Sequence, residues 1–276
     1  MLHKILKSMV PIAAMILASG CNGTINIGGS DGVPLSELDT TGKTPVEVVL
    51  AGPDDVVVAR GDTFDISVSG DDAAIDELRF TLDDETLGIM RESDGLRSAD
   101  GKATVRVTLP RVEKLVLAGS GTIEADMLDG DAEVTIAGSG TARTARVDAG
   151  TLNVTIAGSG TYHAAGRVDS LELKVAGSGK AEMDGLQVGN AEITIAGAGD
   201  AAFASDGTVE ATIMGSGDVT VSGSARCTVN TMGSGTLTCK NGNAAGTADN
   251  AAPSPPEPPA APEPPAAPEP PQAPQT

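Results

Sequence analysis

The chain has 276 residues, a formal net charge of −20, and almost no aromatic side chains: three Phe, one Tyr and no Trp. Such an acid excess argues against nucleic acid or an anionic lipid surface as a partner, because phosphate recognition needs clustered Lys and Arg. The poverty in rings means that any core must be built from Val, Ile, Leu and Ala, and must therefore be thin and regular.

The first segment is a processing signal. Lys4 and Lys7 precede an apolar run from Met9 to Leu17, too short for a membrane-spanning helix of about 20 residues. It closes on Leu17-Ala18-Ser19-Gly20-Cys21, small residues before a thiol. This resembles the bacterial lipoprotein signal, in which Cys21 becomes the acylated first residue; Ala18 stands where Leu is commoner. The other reading is ordinary secretory cleavage beside a chance Cys. By the same resemblance Asn22, rather than Asp, favours the outer membrane. Residues 1–20 are thus expected to be removed. Residues 21–44, rich in Gly, Ser, Thr and Asp, read as a flexible tether.

From residue 45 the chain is strand-rich. Val46–Leu50, Val56–Ala59, Phe64–Val68, Glu77–Leu82, Leu87–Met90 and Thr104–Leu109 read as strands joined by Asp/Gly turns, either opening coils or hairpins that close one end.

A repeat then takes over. Gly-Ser/Ala-Gly recurs with its two glycines at Gly119 and Gly121, Gly138 and Gly140, Gly158 and Gly160, Gly177 and Gly179, Gly197 and Gly199, Gly215 and Gly217, and Gly233 and Gly235, in steps of 19, 20, 19, 20, 18 and 18 residues. The stretches before the triplets alternate with period two, the pattern of a strand with one buried face. Val134, Val154, Leu173 and Ile193 align, as do Ile136, Ile156, Val175 and Ile195. The opposite face carries Glu133, Asn153, Glu172, Glu192 and Glu210, and Thr135, Thr155, Lys174, Thr194 and Thr212. A period near 20 residues with Gly corners and short strands means stacked coils. The expected fold is all-β: a right-handed parallel β-helix over residues 45–240, with coils of about 19 residues and Gly-Ser-Gly corners. Leucine-rich repeats would show Leu-x-x-Leu-x-Leu, and a propeller blade needs about 40 residues.

Cys227 and Cys239 both fall on inward positions of the last coil. In an oxidising compartment they are expected to form a disulfide worth about 3 kcal/mol; two buried thiols are the alternative. Residues 241–276 read as a disordered tail. Its stretch 253–276 holds twelve of the seventeen prolines and would extend as a polyproline II spacer of about 75 Å.

The Gly-Ser-Gly coils, preceded by Val-Arg-Val-Thr-Leu-Pro-Arg-Val-Glu-Lys-Leu-Val-Leu-Ala-Gly-Ser-Gly over 105–121, resemble the family described as putative auto-transporter adhesin, head GIN domain. The resemblance covers roughly residues 45–240. It implies an exported β-helix without an established activity, and it carries over no catalytic residue, since the family motif is a structural corner.

Other chemistry is thin. The Glu ladder stacks like charges, which calcium or a basic partner would relieve, or which splay apart in water. No metal site or cofactor is expected. Ala-Gly-Ser-Gly-Lys at 176–180 is only superficially a phosphate loop, because Lys174 and Ala181 stand where the motif needs Gly and Ser or Thr. His163 falls on an outward position beside Tyr162, as an ordinary surface side chain. The resulting expectation is a non-catalytic lipoprotein of the bacterial cell envelope, anchored by its N-terminal lipid to the outer membrane. It would act in adhesion, binding or as a scaffold, toward an envelope protein or glycan. The alternative is a polysaccharide-active lyase or hydrolase on the same helix, which would need paired carboxylates in a groove and aromatic platforms.

Overall fold

The computed structural model describes residues 32–92, 101–240 and 243–246. Cys21, the signal segment and residues 247–276 lie outside the described residues. The chain winds into a solenoid of about seven turns. In its regular part each coil is one long strand: β8 (Thr122–Gly138), β9 (Thr141–Gly158), β10 (Thr161–Gly177), β11 (Lys180–Gly197) and β12 (Asp200–Gly215). Each pairs in parallel with the next, with equivalent residues in register. The last turns are shorter: β13 (Asp218–Ser222), β14 (Arg226–Gly233), β15 (Thr236–Lys240) and β16 (Asn243–Gly246), the last paired to β14. Residues 226–240 are thus the last described full rung.

Alternation explains the column. Leu117, Ile136, Ile156, Val175, Ile195 and Ile213 sit in successive rungs in register, all at most 2 % exposed. Burial of each such side chain contributes roughly 1.5–3 kcal/mol. Strict alternation breaks twice in β8, where the inward residue steps from Ala125 to Leu128 and then to Ala132. The chain bends there while its rung-to-rung pairing continues, so one coil has three inward-facing runs. Tyr162 fits this narrow interior because its rung neighbours in register are Ala142 and Ala181. Its hydroxyl donates to Thr144 Oγ1 at 3.2 Å, which satisfies two buried polar groups with one bond.

The N-terminal end is irregular. β1 (Glu47–Gly52) and β2 (Asp55–Arg60) form a coil that does not lie at the end of the stack. β1 pairs on one side with β7 (Lys114–Gly119) and on the other with β5 (Thr86–Arg91), and β2 likewise lies between β8 and β6 (Ala103–Leu109). The chain therefore travels outward, turns back, and steps over its own first coil. β3 (Asp65–Gly70) and β4 (Leu78–Leu82) close this end antiparallel to β6 and β5, which ends the parallel ladder. Between them a five-residue helix, α1 (Asp72–Asp76), buries Ala74; it is too short to carry a periodic signal in the sequence.

Two boundaries differ from expectation. The tether does not run free to residue 44: Val33 exchanges backbone hydrogen bonds with Phe80 at 2.9 and 2.8 Å, and Leu35 and Leu38 pack against the core. An exposed antiparallel edge at β4 and apolar side chains at 33, 35 and 38 are enough to dock that segment. The tail expected from residue 241 begins with a strand, since Asn243–Gly246 extends the ladder onto β14.

Candidate functional site

The corner glycines are structural. The first glycine of every triplet from Gly119 to Gly233 has φ between +119° and +137°, where side chains are strained. The second faces inward; a Cβ on Gly160 would lie 2.5 Å from Ile136 Cγ2. Backbone amides around the triplets are engaged between rungs: Ser178 N donates to the Gly158 carbonyl and Lys180 N to the Gly160 carbonyl, both at 2.9 Å. The 176–180 stretch therefore has no row of free amides with which to cradle a phosphate.

Cys227 on β14 and Cys239 on β15 are joined by a disulfide, with Cα atoms 6.7 Å apart. Cys227 is buried and Cys239 half-buried, in the last described full rung.

The outer wall formed by β1, β7 and the C-terminal halves of β8 to β12 is flat and striped. One stripe runs Glu47, Lys114, Glu133, Asn153, Glu172, Glu192, Glu210 in register. Its like charges are relieved from within. Lys114 Nζ lies 3.8 Å from Glu47 and 3.3 Å from Glu133, and Lys174 pairs with Glu172. Burial pushes the Glu47 carboxyl above its ordinary range, with Lys114 and the Thr86 hydroxyl opposing that shift. The second stripe is Thr135, Thr155, Lys174, Thr194 and Thr212. The third is alanine from Ala118 to Ala196, ending in Met214 and Met232, exposed by 39 % and 58 %. Alternation alone makes this wall legible.

A second feature was not legible. On the wall formed by the N-terminal halves of the coils, the bend after Ala125, Thr144 and Ala164 leaves an open groove of about 510 Å³. Its rim carries Glu124, Arg143, His163 and Glu182, neighbours in register on successive rungs. Arg143 Nε lies 3.8 Å from Glu124 Oε1, and His163 Nδ1 lies 3.4 Å from Glu182 Oε2. Asp126 and Asp184 stand across a floor of Ala145, Ala165 and Gly185. His163 is outward, as alternation requires, but Tyr162 beside it points into the core. The sequence signal for the groove is the break in alternation at each bend; its depth depends on where neighbouring bends fall, which no single coil encodes. Among the described residues, no group of three or more His, Cys, Asp and Glu is placed to hold a metal ion.

A stacked-coil solenoid with Gly corners and a patterned outer surface defines a class of repeat scaffold. Residues 44–225 match the family model described as "Putative auto-transporter adhesin, head GIN domain", and the chain belongs to that family. Solved structures share the fold. A protein of Bacteroides fragilis described as a putative adhesin is 20 % identical with a TM-score of 0.64, over 72 % of this chain and 93 % of that one. A protein of Parabacteroides distasonis described as a putative lipid binding protein is 23 % identical with a TM-score of 0.58, over 72 % and 93 %. A putative adhesin of Parabacteroides merdae is 19 % identical with a TM-score of 0.57, over 72 % and 92 %. No curated protein matches the chain.

Proposed function

We propose that the protein is a lipid-anchored, non-catalytic binding scaffold of the bacterial cell envelope, held through Cys21 and presenting its solenoid to an envelope protein or glycan. The observation that carries this reading is the outer surface. Acid, hydroxyl and methyl stripes repeat rung after rung on a wall that the packed interior keeps rigid, which is how solenoids make extended contact surfaces. The interior is filled by side chains, so a ligand meets the outer walls. The family description and the neighbours described as adhesins or as a lipid binding protein support binding over catalysis. The polysaccharide-enzyme alternative finds carboxylates in the groove, Glu124, Asp126, Glu182 and Asp184, but no platform for a sugar ring. The lining contains no Phe, Tyr, Trp, Ser or Cys, and the Thr144 hydroxyl is turned inward to Tyr162.

The test has two arms. Cells expressing the chain are fed labelled palmitate; label is expected on the wild type and absent from Cys21→Ser, which should leave the membrane fraction. The lipidated protein is then used to capture partners from envelope extracts, with and without calcium. A stoichiometric partner supports the proposal, whereas release of sugar fragments from envelope glycans overturns its non-catalytic part.

A further inference from the structure

We infer that the groove between Glu124 and Glu182 is a ligand site distinct from the striped wall, and that its ligand is a hydroxyl-rich glycan strand lying along the column axis. The inference rests on the binding reading above and adds to its striped contact wall a second site with its own chemistry. The groove extends from Val57 on β2, through β8, β9 and β10, to Gly185 on β11. Five rungs at about 4.8 Å give a length of roughly 19 Å. Its volume of about 510 Å³ lies within the ~300–1,000 Å³ usual for ligand sites.

The groove is built by departures from the repeat. The register shifts between Ala164 and Gly166 where β10 meets β9, and between Met183 and Gln187 where β11 meets β12. In the second shift β12 steps directly from Phe203 to Ala204, so residues 184–186 have no partner there and the floor ends at them. Bulges of this kind re-aim side chains and concentrate beside functional sites.

The rim sets the chemistry. Reading along the column, it offers one polar side chain per rung: the acceptor Glu124, the donor Arg143, the imidazole of His163, which donates from one nitrogen and accepts at the other, and the acceptor Glu182. Their mutual contacts at 3.8 and 3.4 Å are longer than good hydrogen bonds, so N–H groups and carboxylate lone pairs are left for a ligand. A polyanion would meet four carboxylates, Glu124, Asp126, Glu182 and Asp184, and a polycation, though suited to those, would meet the Arg143 guanidinium in the middle rung. A hydroxyl donates and accepts from the same atom, so a chain of sugar rings satisfies both kinds of group on successive rungs. The small floor side chains let such rings lie close to the backbone.

The purified chain is titrated with cellotetraose, chitotetraose and mannotetraose, followed by backbone amide NMR shifts. Saturable binding of at least one is expected, with the shifts centred on Arg143 and His163. Ala145→Trp, an exposed position on the floor, should weaken it about tenfold or more without moving the thermal midpoint. If that variant does not fold, Arg143→Met takes its place with the same expectation. Ser170→Trp, at an exposed position outside both the groove and the stripes, should bind as the wild type does. The inference is overturned if none of the three sugars binds saturably, if the shifts fall on the striped wall, or if the floor variant binds normally. Envelope capture by the wild type separates the two claims: a partner captured by a chain that binds none of the three sugars leaves the scaffold standing and removes the groove.

Discussion

Arg91 grips Asp54 with a two-pronged guanidinium, Nε 2.7 Å from Oδ2 and Nη2 2.6 Å from Oδ1. The carboxylate is 1 % exposed and also accepts from the Ala103 amide at 2.8 Å. Asp54 stands where every later corner has its inward glycine: Gly52 aligns with Gly119, and Asp55 with Thr122. The β5 strand ends at Arg91 beside this corner, so a side chain fits there and fills the place with a charge pair. Removing one partner of such a buried pair strands the other. Arg91→Leu is expected to cost about 3–5 kcal/mol, and the double variant Asp54→Gly/Arg91→Leu to recover much of that loss. Urea unfolding of the four-member cycle measures it. A cost below about 1 kcal/mol for Arg91→Leu, the range of an exposed pair, would remove the pair from any structural role.

The corners supply a sharper contrast. A Cβ on Gly158, which has φ of +119°, would lie 2.5 Å from the Gly138 carbonyl oxygen and 3.2 Å from the Gly138 C and N, backbone atoms that the ladder holds in place. Gly150, at the bend of the same coil, has nothing within 4 Å of the same added atom. Gly158→Ala is therefore expected to destabilise by about 2–4 kcal/mol, from strain and clash together. Gly150→Ala should be neutral, or stabilising by about 0.4–1 kcal/mol through the unfolded chain. Denaturant midpoints of the two variants test this directly, and equal effects would mean that stacking distance does not govern which glycines are needed.

What the sequence shows and what it hides divide along the same line. The inward Ile136 ladder, the Glu133 stripe and the shared coil of Cys227 and Cys239 are legible because each follows from alternation within one coil, repeated at a nearly constant step. The sandwiching of β1 between β5 and β7 is not, since stacking order there departs from chain order and no local pattern records it. The same holds for Asp54 with Arg91, 37 residues apart in the irregular opening. The groove belongs to this second kind: Arg143 and His163 are each unremarkable outward residues until bends of neighbouring coils are laid side by side.

Tyr162 offers a probe of the core that needs no mutation, as the chain has one Tyr and no Trp. Burial pushes its phenol well above the ordinary value, and the hydrogen bond to Thr144 offsets only part of that rise. Below about pH 10 the phenol is neutral in both folded and unfolded chains, so it leaves stability unchanged. Above that, only the unfolded chain ionises, and stability is lost at up to about 1.4 kcal/mol per pH unit from this group. Phenolate absorbance is expected to rise only together with loss of the strand signal in circular dichroism. A reversible phenolate transition near pH 10 with the strands intact would show that the ring does not sit in the core.

The disulfide should act locally. It closes a loop with a sequence separation of 12, for which chain entropy gives about 3 kcal/mol. In a stack where each rung touches only its neighbours, that stabilisation is not spread over the column. The last rung needs it most, because Cys239, Val229 and Leu237 are only partly buried while their counterparts in inner rungs are covered on both sides. Reduction is therefore expected to raise amide hydrogen exchange in β14 and β15, and in β16 through its pairing with β14, while β9 and β10 keep full protection. Mass spectrometry of peptides from the exchanged protein, with and without reductant, reads this rung by rung. Unchanged uptake at β14 and β15 would mean that strand pairing alone holds the end. Collapse of protection through β9 would mean that the rungs unfold as one unit, and the nearest-neighbour picture of this column would have to be given up.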